Sequence, residues 1–512
     1  MNFPILSILI LLPMVGVALI MMLNRENQWV IKGTAMAVAL VEFVLSLYLW
    51  FGFNSETAAM QFTEQYSWFP SYGISYLVGL DGISLLLVLL TTFITPICIL
   101  ACWEDVQDKV KEFMICLLFL ETGMIGVFVA LDLFLFYVFW EVMLIPMYLL
   151  IGVWGNPARK IYAAVKFFIF TMVGSLLMLV AILVLYFYNH KVTGVYTFDL
   201  LKLYGLQIPF EMQFWMFLAF GLAFAIKVPM FPVHTWLPDA HTEAPTVGSV
   251  ILAAVLLKMG TYGFLRFNMP LFPEAGWYFV PLFAILAIIG IIYGALVSLV
   301  QVDLKRLVAF SSVSHLGFVM LGLFSYNMAG VQGGIIQMIN HGLSTGALFL
   351  IVGMVYERRH TRMIADFGGL SKVMPIFATI FMIVTLSSIG LPGLNGFVGE
   401  FLILLGAFKA NMAYGIVAAS GVIFAAAYML WMFQRVMFGV VDNEKNQNLK
   451  DLSTREIVVL LPVLLFIVWI GVYPNTFLDK TKASSANFVA MMEKAKTTKV
   501  ATADVIMKGA QR

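Results

Sequence analysis

Apolar stretches of about 20 residues follow one another along almost the whole chain, and each can cross a membrane core about 30 Å thick as a helix. Lipid offers the backbone no hydrogen-bond partner, so such stretches must pair their own N–H and C=O groups, as helices do. Fourteen spans are predicted, at residues 3–23, 28–52, 79–102, 112–131, 132–153, 162–188, 212–233, 244–266, 277–300, 306–324, 330–356, 374–409, 413–439 and 456–475. The sequence therefore predicts an all-α, polytopic membrane protein of about fourteen transmembrane helices.

The composition excludes an ordinary soluble protein. Of 512 residues, 62% are hydrophobic and 11% are charged, whereas soluble domains have about 45–50% apolar and about 25% charged residues. The first apolar segment follows no basic residue and has no cleavage site of small residues, so we interpret it as a retained anchor and not as a signal peptide. No sequence feature indicates a nucleic-acid partner.

Redox and nucleotide chemistry are not expected of this chain. It has no glycine-rich phosphate loop, cysteine cluster or haem signature. Its three cysteines, Cys98, Cys102 and Cys116, lie in spans 3 and 4 without a neighbouring His or carboxylate at ligand spacing, and we interpret them as packing residues. We therefore expect no metal and no cofactor, and an energy source in a partner or an ion gradient.

Basic residues predict the orientation, because short loops rich in Lys and Arg stay on the cytoplasmic side. With the N-terminus outside, sixteen Lys and Arg residues fall in cytoplasmic loops and four in outer loops, namely Lys191, Lys202, Arg266 and Lys409. The tail after Lys480 departs from this pattern, since it places further basic residues on the predicted outer side. The asymmetry favours an N-terminus on the outer side.

Four charged residues, Glu141, Lys227, Lys258 and Glu400, lie far from the ends of their apolar spans. A central Lys or Asp costs about 2.5–3.5 kcal/mol on the insertion scale, so four unpaired charges would cost about 10–14 kcal/mol. They must pair, reach water or change protonation, and groups in such settings exchange protons near neutral pH. The alternatives are a hydrogen bond between helices for Glu141 and an interfacial ammonium group for Lys227.

Two of these charges stand at predicted breaks in transmembrane helices. Lys227 is followed at once by Pro229 and Pro232, which free backbone carbonyls inside the bilayer. Glu400 follows a cluster of four glycines and one proline between residues 390 and 399. Transporters use such discontinuous helices to place polar groups near the middle of the membrane. The sequence therefore predicts two broken helices, each with an ionisable residue at its break.

Histidines provide candidates for proton transfer, because their side chains titrate nearest to neutral pH. His315 and His341 lie inside adjacent spans and are predicted to relay protons, with hydrogen-bonded packing as the alternative. His234 and His241 flank the break after Lys227 and are secondary candidates that line an uptake path or belong to a loop. Glu121, deep in span 4, is a further secondary candidate.

The order of these features predicts an inverted repeat. Spans 4–8 and spans 9–13 each have a polar residue within the second helix and a broken fourth helix, and the two blocks begin on opposite sides. We therefore divide the chain into a three-helix segment at 1–103, a first repeat with the uptake half-channel at 104–266, a second repeat with the exit half-channel at 267–440, and a C-terminal helix and tail at 441–512.

Long motifs resemble a known family, and the resemblance extends from span 1 to span 14. They are LPDAHTEAPTVGSVILAAVLLKMGTYGFLR (237–266), YLVGLDGIS (76–84), FWEVMLIPMYLLIGVWG (139–155), DLKRLVAFSSVSHLGFV (303–319) and LPGLNGFVGEFL (391–402). This sequence resembles the antiporter-like subunits of respiratory complex I and of multisubunit sodium/proton antiporters. The carboxylate at Glu400 resembles one complex I subunit, whereas its siblings and the antiporters tend to carry Lys there.

The resemblance implies a proton-translocating subunit of NADH:quinone oxidoreductase, in which electron transfer from NADH to quinone drives proton pumping. It implies that Glu141 and Lys227 form a coupling pair and that Lys258, His315 and His341 form a central axis, which Glu400 ends near the outer exit. A proton would pass from Lys258 along His315 and His341 to Glu400. NADH, FMN, iron–sulfur clusters and quinone would bind in other subunits of this translocase.

The implied partners are other membrane subunits of complex I, especially the antiporter-like subunits L and N, and the lipid bilayer of a bacterial cytoplasmic membrane. Two alternatives remain at this point. The chain is a subunit of a multisubunit sodium/proton antiporter or of a related membrane-bound hydrogenase or dehydrogenase, or it is an inert scaffold. The first alternative predicts sodium-dependent exchange without a redox donor, and the second predicts that changes at Lys227 and Glu400 leave pumping intact.

Overall fold

A computed structural model describes the backbone of residues 3–510 and the side chains of residues 3–497. In this part of the chain, thirteen helices are long and apolar enough to cross a membrane. They are Ile5–Met22, Gln28–Gly52, Gly82–Ala101, Val110–Val129, Leu133–Trp154, Lys160–Thr193, Phe210–Lys227, Thr246–Leu271, Val280–Leu299, Leu304–Leu323, Met328–Arg359, Met412–Met437 and Thr454–Val472. The predicted fold class is confirmed.

The remaining predicted span, 374–409, is divided into two shorter helices, Pro375–Ser388 and Asn395–Ala410. The other helices are Leu200–Leu203, Trp236–Glu243, Pro273–Tyr278, Leu370–Val373 and Asn475–Ala510, with 3-10 turns at Pro70–Tyr72, Ile364–Asp366 and Glu444–Asn446. Thirteen of the fourteen predicted spans are therefore matched by helices long enough to cross a membrane, and the remaining one is matched by two shorter helices.

A two-stranded antiparallel hairpin, Gln61–Phe69 with Ile74–Leu80, joins the second and third spans and was not predicted. Its turn, Pro70–Tyr72, ends at Gly73, whose φ of 65° is a conformation that glycine adopts without strain. The segment is rich in aromatic and β-branched residues around a Pro-Ser-Tyr-Gly turn, which is the signal that would have revealed it.

The C-terminal region forms one helix, Asn475–Ala510, where the sequence analysis expected only a tail. Phe477, Phe488 and Met492 are buried along one face, and this spacing of about 3.6 residues per turn was the available signal. The Trp277 indole N–H donates to the Met492 carbonyl at 2.7 Å, and the Gly82 N–H donates to Ser484 Oγ at 3.0 Å. The helix therefore contacts the third span, which belongs to the N-terminal segment, and the predicted second repeat.

The same local connection occurs twice, once in each predicted repeat. Asp132 caps the helix that begins at Leu133, and Asp303 caps the helix that begins at Leu304, each through two backbone N–H groups. Each of these helix starts is also paired with a later segment through two backbone hydrogen bonds, and we call this pairing a clamp. In the first clamp, residues 131–133 pair with 198–200, with both hydrogen bonds at 2.9 Å. In the second clamp, residues 302–304 pair with 362–364, with hydrogen bonds of 2.8 and 2.9 Å. Asp132 and Asp303 thus occupy equivalent positions in the two predicted repeats. Both clamps tie the start of a second helix to the segment after a third, as a repeat requires.

Arg266 differs from its prediction as an outer-loop residue. It is 5% exposed and forms an ion pair with Asp81, which is 3% exposed and caps the helix Gly82–Ala101. The Arg266 guanidinium also donates to the Tyr262 hydroxyl at 3.2 Å. This pair fixes the end of the Lys258-bearing helix to the third span.

Asp81→Asn is expected to destabilise the folded chain by about 3–5 kcal/mol, because it leaves a buried guanidinium without its counter-charge. The measurement is the temperature at which the subunit dissociates or aggregates in the purified membrane complex. Glu112→Gln is the matched control, since Glu112 pairs with Arg25 at 2.9 Å on the exposed surface, where such pairs contribute about 0–1 kcal/mol. Equal losses in the two variants would contradict a special role for the Asp81–Arg266 pair.

Candidate proton-translocation axis

Lys258 lies near the middle of the helix Thr246–Leu271 and is fully buried. Two π-helical turns, Leu252–Leu256 and Phe264–Asn268, flank its position and widen the helix locally. The ammonium group donates to the Ala253 carbonyl, and Nζ lies 2.6 Å from His341 Nδ1. Lys258 is therefore held by one backbone acceptor and one group that can exchange a proton.

His341, His315 and Glu400 continue this line on three further helices. The rings of His341 and His315 are 5.9 Å apart between centroids, and His315 Nδ1 lies 3.0 Å from Glu400 Oε1. The four predicted residues therefore come together in one row. Their order differs from the prediction, because His341 contacts Lys258 and His315 contacts Glu400. The distances between these helices could not be predicted from the sequence.

Amide and hydroxyl groups that the sequence analysis missed support the row. Gln337 Nε2 lies 3.4 Å from Glu400 Oε1, and Asn340 Nδ2 donates to the Asn395 carbonyl at 2.7 Å. A cavity of about 10 Å³ among His315, Gln337, Asn340, His341, Ser344, Thr345, Ser387, Ser388, Gly396 and Glu400 has room for about one water molecule. The signal for these residues was the spacing of Gln337, His341 and Ser344 along one face of a helix.

The second broken helix positions Glu400 through its glycines. The helix Pro375–Ser388 stops before Ile389, and the chain resumes as a helix at Asn395. Gly390 has a φ of 74°, and a Cβ there would lie 2.8 Å from Glu400 Oε2. The glycine-rich break therefore leaves space for the carboxylate within the protein, as predicted.

Lys227 ends the helix Phe210–Lys227, and the chain becomes helical again at Trp236. Trp236 Nε1 donates to the Ile226 carbonyl at 2.8 Å, which satisfies one acceptor that the break would leave free. Lys227 Nζ lies 3.4 Å from Met143 Sδ and 5.4 Å from the centre of the Trp140 ring. The predicted break is therefore present, and it places the ammonium group among a thioether and aromatic rings.

Glu141 lies close enough to Lys227 to interact with it electrostatically, but the two form no direct ion pair. The Glu141 carboxyl group faces Tyr137 and Ser175, and its Oε1 has no hydrogen-bond partner. Its helix is interrupted at Met143, one residue after the segment Leu133–Val142. Glu141 and Lys227 are therefore close enough to influence each other's charge, but they are not in direct contact.

The two histidines of the first break occupy different settings. His241 is fully buried, stacks on Phe349 at 4.6 Å, and has no hydrogen-bond partner on either ring nitrogen. It lies within electrostatic range of both Lys258 and Lys305. His234 packs on Phe231 at 5.8 Å between ring centres, within the break itself. His241 is therefore within electrostatic range of the axis residue Lys258, whereas His234 lies in the break after Lys227.

A polar cavity of about 180 Å³ opens on the side of the molecule where the helix Leu304–Leu323 begins. Asp105, Glu243, Lys305 and Arg362 contribute to its lining, and the Lys305 ammonium group donates to the Ala244 carbonyl. Burial raises the pKa of Asp105, in the loop before the fourth span, while Lys305 and Arg455 act in the opposite direction. Lys305 was not a predicted site residue, because it precedes the predicted span at 306–324 and was assigned to a cytoplasmic loop, whereas it is buried.

Glu121 lies outside this row, fully buried and facing Glu42. Among the described residues, no group of three His, Cys, Asp or Glu side chains is placed to hold a metal ion, and the three cysteines are buried and free.

The sequence matches known families of membrane subunits along most of its length. Residues 8–127 match the amino terminus of NADH-ubiquinone oxidoreductase chain 4, and residues 130–441 match the transmembrane family of NADH:quinone oxidoreductase and Mrp antiporters. The chain is 47% identical over 484 residues to NADH-ubiquinone oxidoreductase chain 4 of Marchantia polymorpha, covering 94% of this chain and 97% of that protein. It is 47% identical over 500 residues to NADH-quinone oxidoreductase subunit M of Rhodobacter capsulatus, with 94% and 96% coverage.

Solved structures show the same fold. A chain of respiratory complex I from Thermus thermophilus superposes with a TM-score of 0.86 at 34% identity, covering 95% of this chain and 99% of that one. A chain of the Mrp complex from Dietzia has a TM-score of 0.83 at 20% identity, with 97% and 99% coverage, which shows the common fold alone. The matches along both parts of the sequence show that the chain belongs to the subunit M/chain 4 family of antiporter-like membrane subunits of NADH-quinone oxidoreductase.

Proposed function

We propose that this chain carries protons across the membrane within NADH-quinone oxidoreductase, the translocase to whose family of subunits it belongs. The supporting observation is the row Lys258, His341, His315 and Glu400, in which the first and last contacts are 2.6 and 3.0 Å. Ionisable groups are costly to bury inside a membrane and generally mark ion pathways, so four of them in one row support ion movement. NADH, FMN, iron–sulfur clusters and quinone would belong to other subunits, and subunits L and N would be neighbours.

The proton would enter through the polar cavity at Lys305 and reach Lys258 by way of His241, with water filling the gaps. It would pass through His341 and His315 to Glu400 and leave on the outer side. Approach of Glu141 to Lys227 would stabilise the protonated lysine, and their separation would favour release of its proton. Redox energy would arrive as a change in charge or conformation at this pair. The chain would lie in a bacterial cytoplasmic membrane with its N-terminus outside.

The test is NADH-driven acidification of inverted membrane vesicles that contain the intact complex. Pumping that depends on NADH and quinone and is indifferent to sodium supports the proposal. Sodium-dependent exchange without a redox donor would instead identify an antiporter subunit, the alternative that the Mrp-like fold raises. Subunits that co-purify with the chain separate the complex from related hydrogenases or dehydrogenases.

Lys305→Met is expected to slow pumping by about tenfold, because it removes the group that would link the cavity to His241. Lys305→Arg should slow it as well, since arginine keeps the positive charge and a donor for the Ala244 carbonyl but does not release a proton. Lys450→Met, on an exposed lysine, is the control. Normal pumping by Lys305→Arg together with normal assembly would show that Lys305 is only a structural donor.

A further inference from the structure

Two buried carboxylic acids face each other outside the axis. Glu42 lies near the middle of Gln28–Gly52 and Glu121 near the middle of Val110–Val129, and both side chains are 0% exposed. The carboxyl group of each lies against that of the other, and the Thr95 hydroxyl faces Glu121. None of the four carboxyl oxygens has a well-formed hydrogen bond to a described residue.

No basic side chain compensates this pair within the described part of the chain. The only charged group that acts on Glu42 is Glu121, and the thiol of Cys98, on the helix Gly82–Ala101, lies within range of Glu121. The neighbouring helix Ile5–Met22 has no titratable side chain, and Leu133–Trp154 meets the Glu121 helix at Gly123 through apolar Met143. Two carboxylates in contact in such surroundings cannot both be ionised.

The third span separates the pair from the axis. Thr91 and Thr95 lie along this helix, and each donates its hydroxyl group to a carbonyl of its own helix. Leu90, on the same helix, fills the space beside Gly342, the residue after His341. Two helices can be joined by uncharged polar groups, as Ser46 and Thr92 join the second and third spans through a 2.8 Å hydrogen bond. Two acids are not needed for such a link.

We propose that Glu42 and Glu121 form a proton-binding site distinct from the axis, in which the two carboxyl groups share one proton and exchange a second with the medium at physiological pH. Loss of the second proton leaves one shared proton and one negative charge between the two helices. Its binding restores a neutral acid pair. No bond other than O–H is made or broken. The ligand is a proton, and the site gives the chain a place to hold one that does not lie between Lys258 and Glu400.

The experiment is infrared difference spectroscopy of the purified whole complex in lipid, titrated between about pH 5 and 10, a range above that in which exposed carboxyl groups change protonation. Besides the bands of other buried carboxyl groups, such as Glu141 and Glu400, the intact protein should show a protonated-carboxyl band of the pair that shifts in deuterated water and loses intensity with rising pH. Glu42→Gln and Glu121→Gln should each shift this band, and the double variant should lose it. Glu56→Gln, on an exposed loop residue, should leave it unchanged.

A band of the pair that survives in the double variant, or one that does not change with pH, would overturn the proposal, because the second result describes a permanently protonated structural link. If the double variant fails to assemble, the shifts in the two single variants decide the matter, since each replaces a carboxyl group by an amide of nearly the same shape. NADH-driven pumping in the same preparations tests the proposed function separately. If the intact protein did not pump, the proposed function would fail, but the carboxyl band of the pair would still be expected.

Discussion

Glu400→Gln is expected to lower NADH-driven proton pumping by at least about tenfold while the complex assembles normally. Glutamine keeps the size of the side chain and can still hydrogen-bond to His315 and Gln337, but it cannot take up a transferable proton. A positioned proton acceptor contributes roughly 10²–10⁴ to the rate of a transfer step. The measurement is the pH gradient formed by inverted vesicles, normalised to the amount of subunit in the membrane.

The control variants separate chemistry from packing. Glu444→Gln changes an exposed residue in the same way and should pump normally. Glu400→Asp retains a carboxyl group and should keep part of the activity. Full pumping by Glu400→Gln would remove Glu400 from the exit path and would favour the inert-scaffold alternative.

Lys258→Arg is expected to stop pumping almost completely, with a loss comparable to that of Glu400→Gln. Arginine keeps a positive charge beside Ala253 and His341 but remains protonated, so it can be held in place without passing its proton to His341. If Lys258 were only a packing residue that required a cation, this variant would pump. Pumping is compared with the NADH oxidation rate of the same vesicles.

Lys258→Met provides the complementary measurement. It leaves the Ala253 carbonyl and His341 Nδ1 without their buried partner, which is expected to cost about 1–3 kcal/mol of stability. The thermal stability of the complex should therefore fall in this variant more than in Lys258→Arg. A stable, fully active Lys258→Met protein would contradict the relay.

The sequence predicted the positions of the key charges because the cost of a charge in lipid is a local property. Lys227, Lys258 and Glu400 stand out within apolar segments of 20 residues, and the prolines and glycines beside two of them indicate the breaks. These features do not depend on which helices become neighbours. The crossing count, the breaks and the four residues of the axis were therefore predictable.

The contacts between helices could not be predicted from the sequence. The order of His341 and His315 depends on how three helices pack, and a periodic pattern on each helix does not determine it. Lys305 was assigned to a loop because the predicted span began at 306, whereas the helix begins at Leu304 and buries this side chain against Ala244. Glu42 was not among the predicted residues, although it lies near the middle of the span 28–52 and the cost of a charge in lipid was the available signal; its contact with Glu121 could not be predicted.

The two clamps have a consequence for leakage. In the proposed orientation, the clamp at 131–133 and 198–200 lies at the outer face, and the clamp at 302–304 and 362–364 lies at the cytoplasmic face. The backbone hydrogen bonds hold one end of each repeat, so we expect the first repeat to open more readily to the cytoplasm, beside the cavity lined by Glu243 and Lys305, and the second to open more readily to the outside. Each half of the chain would thus resist opening at the face through which protons could return. Hydration of the axis would then not dissipate the proton gradient.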